Sequence, residues 1–214
     1  MTAGAGRRGR LFVIAAPSGA GKTSLVRALM EREASLRFSI SYTTRKQRPT
    51  EQHGRDYFFV GRDEFDLMVA NGEFLEHARV FDNDYGTARR QVEEALAAGQ
   101  DLILEIDWQG AALIRAALPE CISIFILPPS RPELERRLRG RGTDAEEVIR
   151  RRLRDAASDM AHWHEFDHVV VNDNFDRALG ELQDIVAGRG EGTRRDRPGL
   201  VELAARLTAG GEGG

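Results

Sequence analysis

A glycine-rich stretch near the N-terminus has the residue types and spacing of a phosphate-binding loop. Glycines let the backbone approach a phosphate closely, and a helix that begins directly after them points its N–H groups at the anion. Lys22 is spaced to reach the β- and γ-phosphates of ATP, and the Thr23 hydroxyl is placed to bind Mg²⁺. The predicted ATP-binding loop comprises Ala16, Pro17, Ser18, Gly19, Ala20, Gly21, Lys22 and Thr23.

The first residue of this loop, Ala16, stands where the usual pattern has glycine. Alanine fits there if the residue is still in the β region of backbone angles or just leaving it. The alternative is a strand-to-helix turn with no ligand. Lys22 and Thr23 at the required spacing, with a strand signal before the loop and a helical pattern after it, favour the phosphate site.

Two arginines on a short loop indicate a second anion site. Arg45 and Arg48 lie in "SYTTRKQRP", which ends in proline. Two guanidinium groups suit the phosphate of a monoester, although a solvated basic loop would have the same composition. Residues that carry hydrogen-bonding groups follow downstream, and these are Tyr57, Glu76, Tyr85 and Thr87.

Two carboxylates end the apolar run "DLILEID", namely Glu105 and Asp107. At the carboxyl end of a parallel strand, such groups can lie near a loop-bound Mg²⁺ or reach an acceptor molecule. For Glu105 the alternative is a carboxylate that simply ends the strand.

Arginines are concentrated in "RRLRGRGTD" and "RRRLRD". Such a basic face is often solvated or binds RNA. Fixed cations can also stabilise the charge that spreads over a phosphoryl group during its transfer, so a catalytic role is the second interpretation.

The stretch "HEFDH", His164 to His168, matches the H-E-x-x-H pattern of zinc proteases. That chemistry needs both histidines one turn apart on a continuous helix. The second histidine leads directly into the strand signal "VVVN", so we predict that the two do not share a helix and form no zinc site.

The elements that must position these residues alternate between strand and helix signals. Strands are predicted at "LFVIAA", "FSISY", "DLILEID", "SIFIL" and "HVVVN", and helical patterns lie between them. Continuous apolar runs are typical of strands covered on both faces, so the pattern predicts an α/β fold with a parallel sheet. Residues 45–90 and a basic segment from residue 131 interrupt it, and "RPGLVELAARL" predicts a short C-terminal helix.

Composition narrows the classes of function. A net charge of −3 over 214 residues argues against a protein that coats nucleic acid or an anionic membrane. No segment approaches the roughly 20 apolar residues of a membrane span. The single cysteine, Cys121, excludes a disulfide framework and indicates a reducing cytoplasm. We therefore expect a cytoplasmic protein whose partners are small molecules.

The ordered set of motifs resembles the guanylate kinase family over nearly the whole chain. It includes "APSGAGKT", "SYTTRKQRP", "HGRDYFFV", "FLEHA", "EIDWQGA", "RLRGRGTD" and "VVVNDNFD". The resemblance implies an α/β, P-loop nucleoside monophosphate kinase-like core with an inserted GMP-binding region and a mobile lid. It also implies Mg²⁺-dependent transfer of the γ-phosphoryl group of ATP to GMP and, by extension, to dGMP.

The resemblance assigns roles to single residues. It implies a GMP site made of Ser41, Arg45, Arg48, Tyr57, Glu76, Tyr85, Thr87 and Asp107. It places Asn172 at adenine, and it gives catalytic roles to Lys22, Arg45, Arg137, Arg141 and Arg152. Glu105 stands where relatives commonly have aspartate, which leaves it a second candidate metal ligand beside Thr23. Asn174 replaces a common aspartate and receives no role.

The implied kinase domain covers residues 10–187, with an insertion at 45–90, a lid at 131–164, and a core made of the rest. We expect residues 188–214 to form a linker and a short helix with a flexible tail. The rival hypothesis is a non-catalytic module of the same fold that binds phosphorylated peptides. Such modules tend to lose the phosphate loop and lid, so Lys22, Thr23 and Arg137 favour the enzyme.

Overall fold

The computed structural model describes residues 7–80, 82–140 and 146–209. The strands are β1 (Leu11–Ala15), β2 (Leu36–Phe38), β3 (Tyr42–Thr43), β4 (Phe58–Phe59), β5 (Phe74–Val80), β6 (Asn83–Ala88), β7 (Asp101–Glu105), β8 (Ile122–Leu127) and β9 (His168–Val171). The helices are α1 (Lys22–Arg32), α2 (Arg62–Ala70), α3 (Arg89–Ala97), α4 (Trp108–Ala117), α5 (Arg131–Arg139), α6 (Glu146–Met160), α7 (Phe175–Val186) and α8 (Leu200–Thr208). Two 3₁₀ helices span Trp163–Glu165 and Gly190–Thr193.

The apolar runs form a five-stranded sheet of order β2-β7-β1-β8-β9. β2 pairs in parallel with β7, and β8 pairs in parallel with β9. Leu102 N–H donates to the carbonyl of Arg10 and Ile106 N–H to that of Ile14, so β7 and β1 also run in parallel. All five residues of β1 are buried. The predicted parallel α/β core is confirmed.

A second, four-stranded sheet of order β4-β3-β6-β5 is formed by residues 42–88. β3 pairs in parallel with β4, while β6 runs antiparallel to both β3 and β5. The alternation of apolar runs predicted neither this sheet nor α2. In this sheet, β3 and β4 have only two residues each, and β5 and β6 mix buried apolar residues with polar or exposed ones, so none has the continuous apolar signal of the core strands.

The prediction of one strand at "FSISY" is wrong. Phe38 ends β2 and Tyr42 begins β3, and the three residues between them are not strand. Ser39 N–H donates to the carbonyl of Ile103, whereas the carbonyl of Ser41 accepts from Phe58 N–H. Backbone groups two residues apart therefore form hydrogen bonds to strands of different sheets, which a pattern of apolar residues cannot show.

Two helices that follow core strands have side-chain caps. The Ser130 hydroxyl accepts from Glu133 N–H at 3.3 Å and begins α5, with proline in the first turn. The Asn174 side chain accepts from Arg177 N–H at 3.0 Å and begins α7. Asn174, which had received no role, is therefore a helix cap.

The described part of the chain divides into two compact units. The first contains the residues up to Phe12, Ser35–Leu104 and Gln109–Cys121. The second contains Val13–Ala34, Glu105–Trp108 and the residues from Ile122 onwards. In the second unit, the predicted C-terminal helix is present as α8, which packs against α6. Across the described ranges, we find no helix with the length and apolar character needed to cross a membrane.

Candidate active site

The predicted phosphate loop forms a tight turn between β1 and α1. Gly19 and Gly21 have positive φ angles of 87° and 95°, a conformation that L side chains rarely adopt. A Cβ atom on Gly21 would lie 2.4 Å from Nδ2 of Asn172, so this position also needs glycine for space. Ala16 follows the last residue of β1 directly, as expected of a position that tolerates alanine.

Lys22 begins α1 and points its ammonium group at the end of β7. Its Nζ donates to the carbonyl of Ile106 at 2.9 Å and lies 3.8 Å from Oε1 of Glu105. Burial lowers the pKa of Lys22, although the carboxylates of Glu105, Asp107 and Asp159 act in the opposite direction. The lysine is thus held in place by a neutral carbonyl and surrounded by negative charge.

Thr23 and Glu105 form an oxygen pair beside this lysine. The Thr23 hydroxyl donates to Oε1 of Glu105 at 2.5 Å. A hydroxyl and a carboxylate are the oxygen ligands that Mg²⁺ prefers, so the side chains present fit this ion. Glu105 thus contacts both Thr23 and Lys22 at the end of β7.

Arg137 and Asn172 brace the phosphate loop from two different elements. The carbonyl of Ala20 accepts from Arg137 Nη1 at 3.2 Å and from Asn172 Nδ2 at 2.8 Å. Arg137 Nη2 also donates to the carbonyl of Asn172 at 2.8 Å. Arg137 also donates to Glu133 through Nε. These three bonds use three of its five guanidinium N–H groups, so two are left.

Glu133 fixes Arg137 and was not identified from the sequence. Its Oε1 accepts from Arg137 Nε at 2.7 Å. Hydrogen bonds from Arg136 and then Arg137 lower the pKa of Glu133 to about 2. The spacing of four residues on one helix is the signal that could have revealed this pair.

Two other arginines, Arg141 and Arg152, are expected at the transferred phosphoryl group. Arg152 lies on α6 and is half-buried. Arg141 lies outside the described residues.

Asp107 and Trp108 meet the C-terminal end of α6. Asp159 on α6 accepts a hydrogen bond from the Trp108 side chain, and the Trp108 ring stacks on His162 with centroids 3.4 Å apart. Burial, followed by the negative charge of Asp107, raises the pKa of Asp159 to about 6. Asp159 was also missed, because only the fold brings α6 to this strand end.

The first unit carries a buried pair of polar side chains on β5 and β6. Glu76 is 5% exposed and Thr87 is fully buried. The two residues are register partners, and the Thr87 hydroxyl donates to Oε1 of Glu76 at 2.6 Å. Because a hydroxyl has one proton, Thr87 cannot donate to a second acceptor in this arrangement.

Arg45 is held between aromatic rings and a carboxylate. Its guanidinium lies 5.4 Å from the ring centroid of Tyr57 and 5.7 Å from that of Phe59. Arg45 Nη2 donates to Oε1 of Glu51 at 2.7 Å. The bond to Glu51 raises the pKa of Arg45, with a smaller contribution from Tyr85.

The other residues of this unit that are expected at the GMP site lie around Arg45 and the small sheet. Tyr57 and Tyr85 contact edge-to-face with ring centroids 5.9 Å apart. Ser41 precedes β3 and is half-buried, and the Arg48 side chain is 70% exposed. The unit therefore gathers Arg45, Tyr57 and Tyr85, and pairs Glu76 with Thr87.

A groove of the first unit lies away from these residues. It has a volume of about 900 Å³, and its lining includes Met68 of α2, Asn71 directly after that helix, and Ala95 of α3. Its lining includes none of the expected acceptor residues.

The structure confirms that the histidines of "HEFDH" do not share a helix. His164 lies in a 3₁₀ helix, and its Nδ1 is 2.9 Å from the carbonyl of Ala161. His168 begins β9 and its Nδ1 is 2.8 Å from the Thr193 hydroxyl. The match to the zinc-protease pattern is therefore coincidental.

Comparisons with known proteins decide the family. The family model for guanylate kinase matches residues 8–189. The chain belongs to the guanylate kinase family. It is 57% identical over 179 residues to a guanylate kinase of Chromohalobacter salexigens, covering 84% of this chain and 83% of that protein. It is 54% identical over 199 residues to one of Alkalilimnicola ehrlichii, covering 93% and 98%.

Among solved structures, the guanylate kinase of Anaplasma phagocytophilum matches with a TM-score of 0.70 and 34% identity, covering 94% of this chain and 97% of that one. The general reaction of the guanylate kinase family is phosphoryl transfer from ATP to GMP. The prediction of a nucleoside monophosphate kinase is confirmed, and the non-catalytic module is the poorer hypothesis.

Proposed function

We propose that this enzyme transfers the γ-phosphoryl group of ATP to GMP and dGMP, with Mg²⁺ as its cofactor. The observation that carries the proposal is the buried pair of Glu76 and Thr87. Guanine presents two N–H donors side by side, and a buried carboxylate can accept both, whereas adenine lacks this pair. With Thr87 donating to Glu76, Ser41 is the hydroxyl we assign to guanine O6.

On the donor side, the backbone of residues 16–23 cradles the phosphates of ATP. Lys22 binds their β- and γ-oxygens, and Arg137 supplies its remaining N–H groups to the transferred phosphoryl. Bound Mg²⁺, held by Thr23 and through Glu105, would offset the charge of the phosphates. We assign Asn172 to the adenine side of the same loop, which it contacts through Ala20.

On the acceptor side, Arg45, Arg48, Tyr57 and Tyr85 bind the phosphate of the nucleoside monophosphate, and we assign Asp107 to its base. That phosphate is already anionic near neutral pH, so the reaction needs no general base. The chain's own contribution is to hold two polyanions in line and to offset their repulsion with fixed cations.

We also propose that two segments of the chain have different roles in the reaction. Residues 45–90 bind the acceptor, which is supported by the separate sheet to which they contribute three of the four strands. Residues 131–164 act as a lid whose arginines, Arg137, Arg141 and Arg152, stabilise the transition state and exclude water. We also propose a cytoplasmic location, supported by the single cysteine, Cys121, which is buried and forms no disulfide.

An acceptor screen tests this function. ADP formation from ATP and Mg²⁺ is measured with GMP, dGMP, AMP, UMP, CMP and dTMP at equal concentrations. We expect turnover with GMP and dGMP that exceeds the rate with every other acceptor by at least about a hundredfold, since the other bases lack the two adjacent N–H donors that guanine presents to the buried carboxylate. Comparable rates with AMP, or no ADP with GMP at micromolar enzyme, would refute the proposal.

A further inference from the structure

We propose that Glu51 is a positioning residue for the acceptor phosphate, because its carboxylate orders Arg45 and the Arg48 backbone before the nucleotide binds. The inference rests on the proposed function, since it concerns the phosphate group of GMP. Neither the motif pattern nor the family resemblance assigned Glu51 a role.

The carboxylate of Glu51 holds two points of the basic loop with its two oxygens. Oε1 accepts from Arg45 Nη2 at 2.7 Å, and Oε2 accepts from the backbone N–H of Arg48 at 2.9 Å. The Glu51 backbone N–H also donates to the carbonyl of Arg48 at 3.0 Å, which closes the loop into a turn. The Glu51 side chain thereby fixes the Arg45 guanidinium and the Arg48 backbone relative to each other.

This ion pair is shielded from water. The side chains of Arg45 and Glu51 are 16% and 14% exposed, whereas that of Arg48 is 70% exposed. The bond from Arg45 lowers the pKa of Glu51 against the effect of burial, so the carboxylate stays charged near neutral pH. A shielded, charged pair holds a long arginine side chain more firmly than a surface pair does.

Glu51 need not leave when a phosphate arrives. Arg45 uses one N–H on Glu51, one on the carbonyl of Lys46 and one on Tyr85, which leaves two of its five donors. The rings of Tyr57 and Phe59 restrict the guanidinium further. The geometry therefore favours preorganisation of the arginine over competition between carboxylate and phosphate.

The test is the binding of GMP and of guanosine, measured by calorimetry without ATP, to the full-length wild type and Glu51→Gln. An amide has one acceptor oxygen and presents a donor on its other side, so it cannot satisfy both Arg45 and Arg48. We expect GMP to bind about tenfold more weakly and guanosine to bind as before, since guanosine lacks the phosphate. In turnover assays, the KM for GMP should rise about tenfold while the KM for ATP stays within about twofold.

Glu64→Gln is the matched control, because it removes the same charge from an exposed position of the same unit. It should bind both ligands as the wild type does. Equal weakening of GMP and guanosine by Glu51→Gln would show a purely structural role and overturn the proposal. Tighter GMP binding would show competition and would also overturn it.

Glu51→Asp provides a second route if Glu51→Gln does not fold. It keeps the charge but is one methylene too short to reach both donors, so GMP binding should again weaken selectively. GMP binding equal to that of the wild type would overturn the proposal. A wild type that fails to phosphorylate GMP would instead refute the proposed function, whatever the variants do.

Discussion

The phosphate loop and the small sheet hold their cations in different ways. Main-chain carbonyls of Ile106, Ala20 and Asn172 accept most of the hydrogen bonds of Lys22 and Arg137, although Glu105 and Glu133 lie beside them. Arg45 donates to one carbonyl, that of Lys46, and is otherwise held by side chains, namely the carboxylate of Glu51 and the rings of Tyr57 and Phe59. A carbonyl fixes a cation without neutralising it, which suits a site for a highly charged triphosphate.

The largest effect that this comparison predicts is at Lys22. Lys22→Ala should reduce kcat by about a thousandfold or more, because a positioned charge at the transferred phosphoryl is lost. Binding of GMP, measured by calorimetry, should be unchanged. Arg27→Ala removes an exposed charge from the same helix and serves as control. Near-normal turnover of Lys22→Ala would remove the lysine from the donor site.

The next effect concerns base selection by the small sheet. Glu76→Gln should raise the KM for GMP by about 10- to 100-fold, because an amide cannot accept from both guanine donors. The KM for ATP should stay within about threefold. Thr87→Ser keeps the hydroxyl and should change the KM for GMP far less. An equal rise for both substrates would exclude Glu76 from the guanine site.

Two nearby asparagines, Asn172 and Asn174, are expected to have different roles, one at the phosphate loop and one in the stability of α7. Asn172→Ala removes a bond to the Ala20 carbonyl, so the KM for ATP should rise about fivefold, equivalent to roughly 1 kcal/mol. Asn174→Ala removes the cap of α7 and should lower the free energy of unfolding by about 1 kcal/mol with an unchanged KM for ATP. Steady-state kinetics and urea unfolding measure the two effects. If both variants change the KM for ATP equally, Asn172 has no specific role at the loop.

The smallest effect is a pH dependence of stability at Asp159. Its pKa is raised from an ordinary 3.8 to about 6, so the folded protein binds more protons than the unfolded chain between these values. The free energy of unfolding therefore falls as the pH rises through this window. Asp159→Asn removes that loss, and its advantage over the wild type should grow by roughly 1 kcal/mol or less from pH 4 to pH 7, since water screens the half-buried group.

Urea unfolding at several pH values measures this difference. Asp66→Asn, which makes the same change at an exposed position, is the matched control. A flat difference for Asp159→Asn would mean that its carboxyl is not destabilised in the folded protein.

The success of prediction differed between the same two regions. β1, the loop and the start of α1 are contiguous, so one stretch with an apolar run, glycines and Lys22 predicted all three. In the small sheet, the prediction of one strand at "FSISY" was wrong, and β4, β5, β6 and α2 were not predicted. These elements are only partly buried and mix apolar with polar residues, so no continuous apolar run marks them.

The sequence by itself determined the α/β core, the phosphate loop and, through its ordered motifs, the family. These features depend on neighbouring residues, whose spacing is fixed by the chain. Only the tertiary structure revealed that Glu51 holds Arg45, that Asn172 and Arg137 share the Ala20 carbonyl, and that Asp159 meets Trp108. Most of these contacts join elements far apart in sequence, and even the nearby Glu51 reaches Arg45 only through a turn of the chain, so distance and burial decided them.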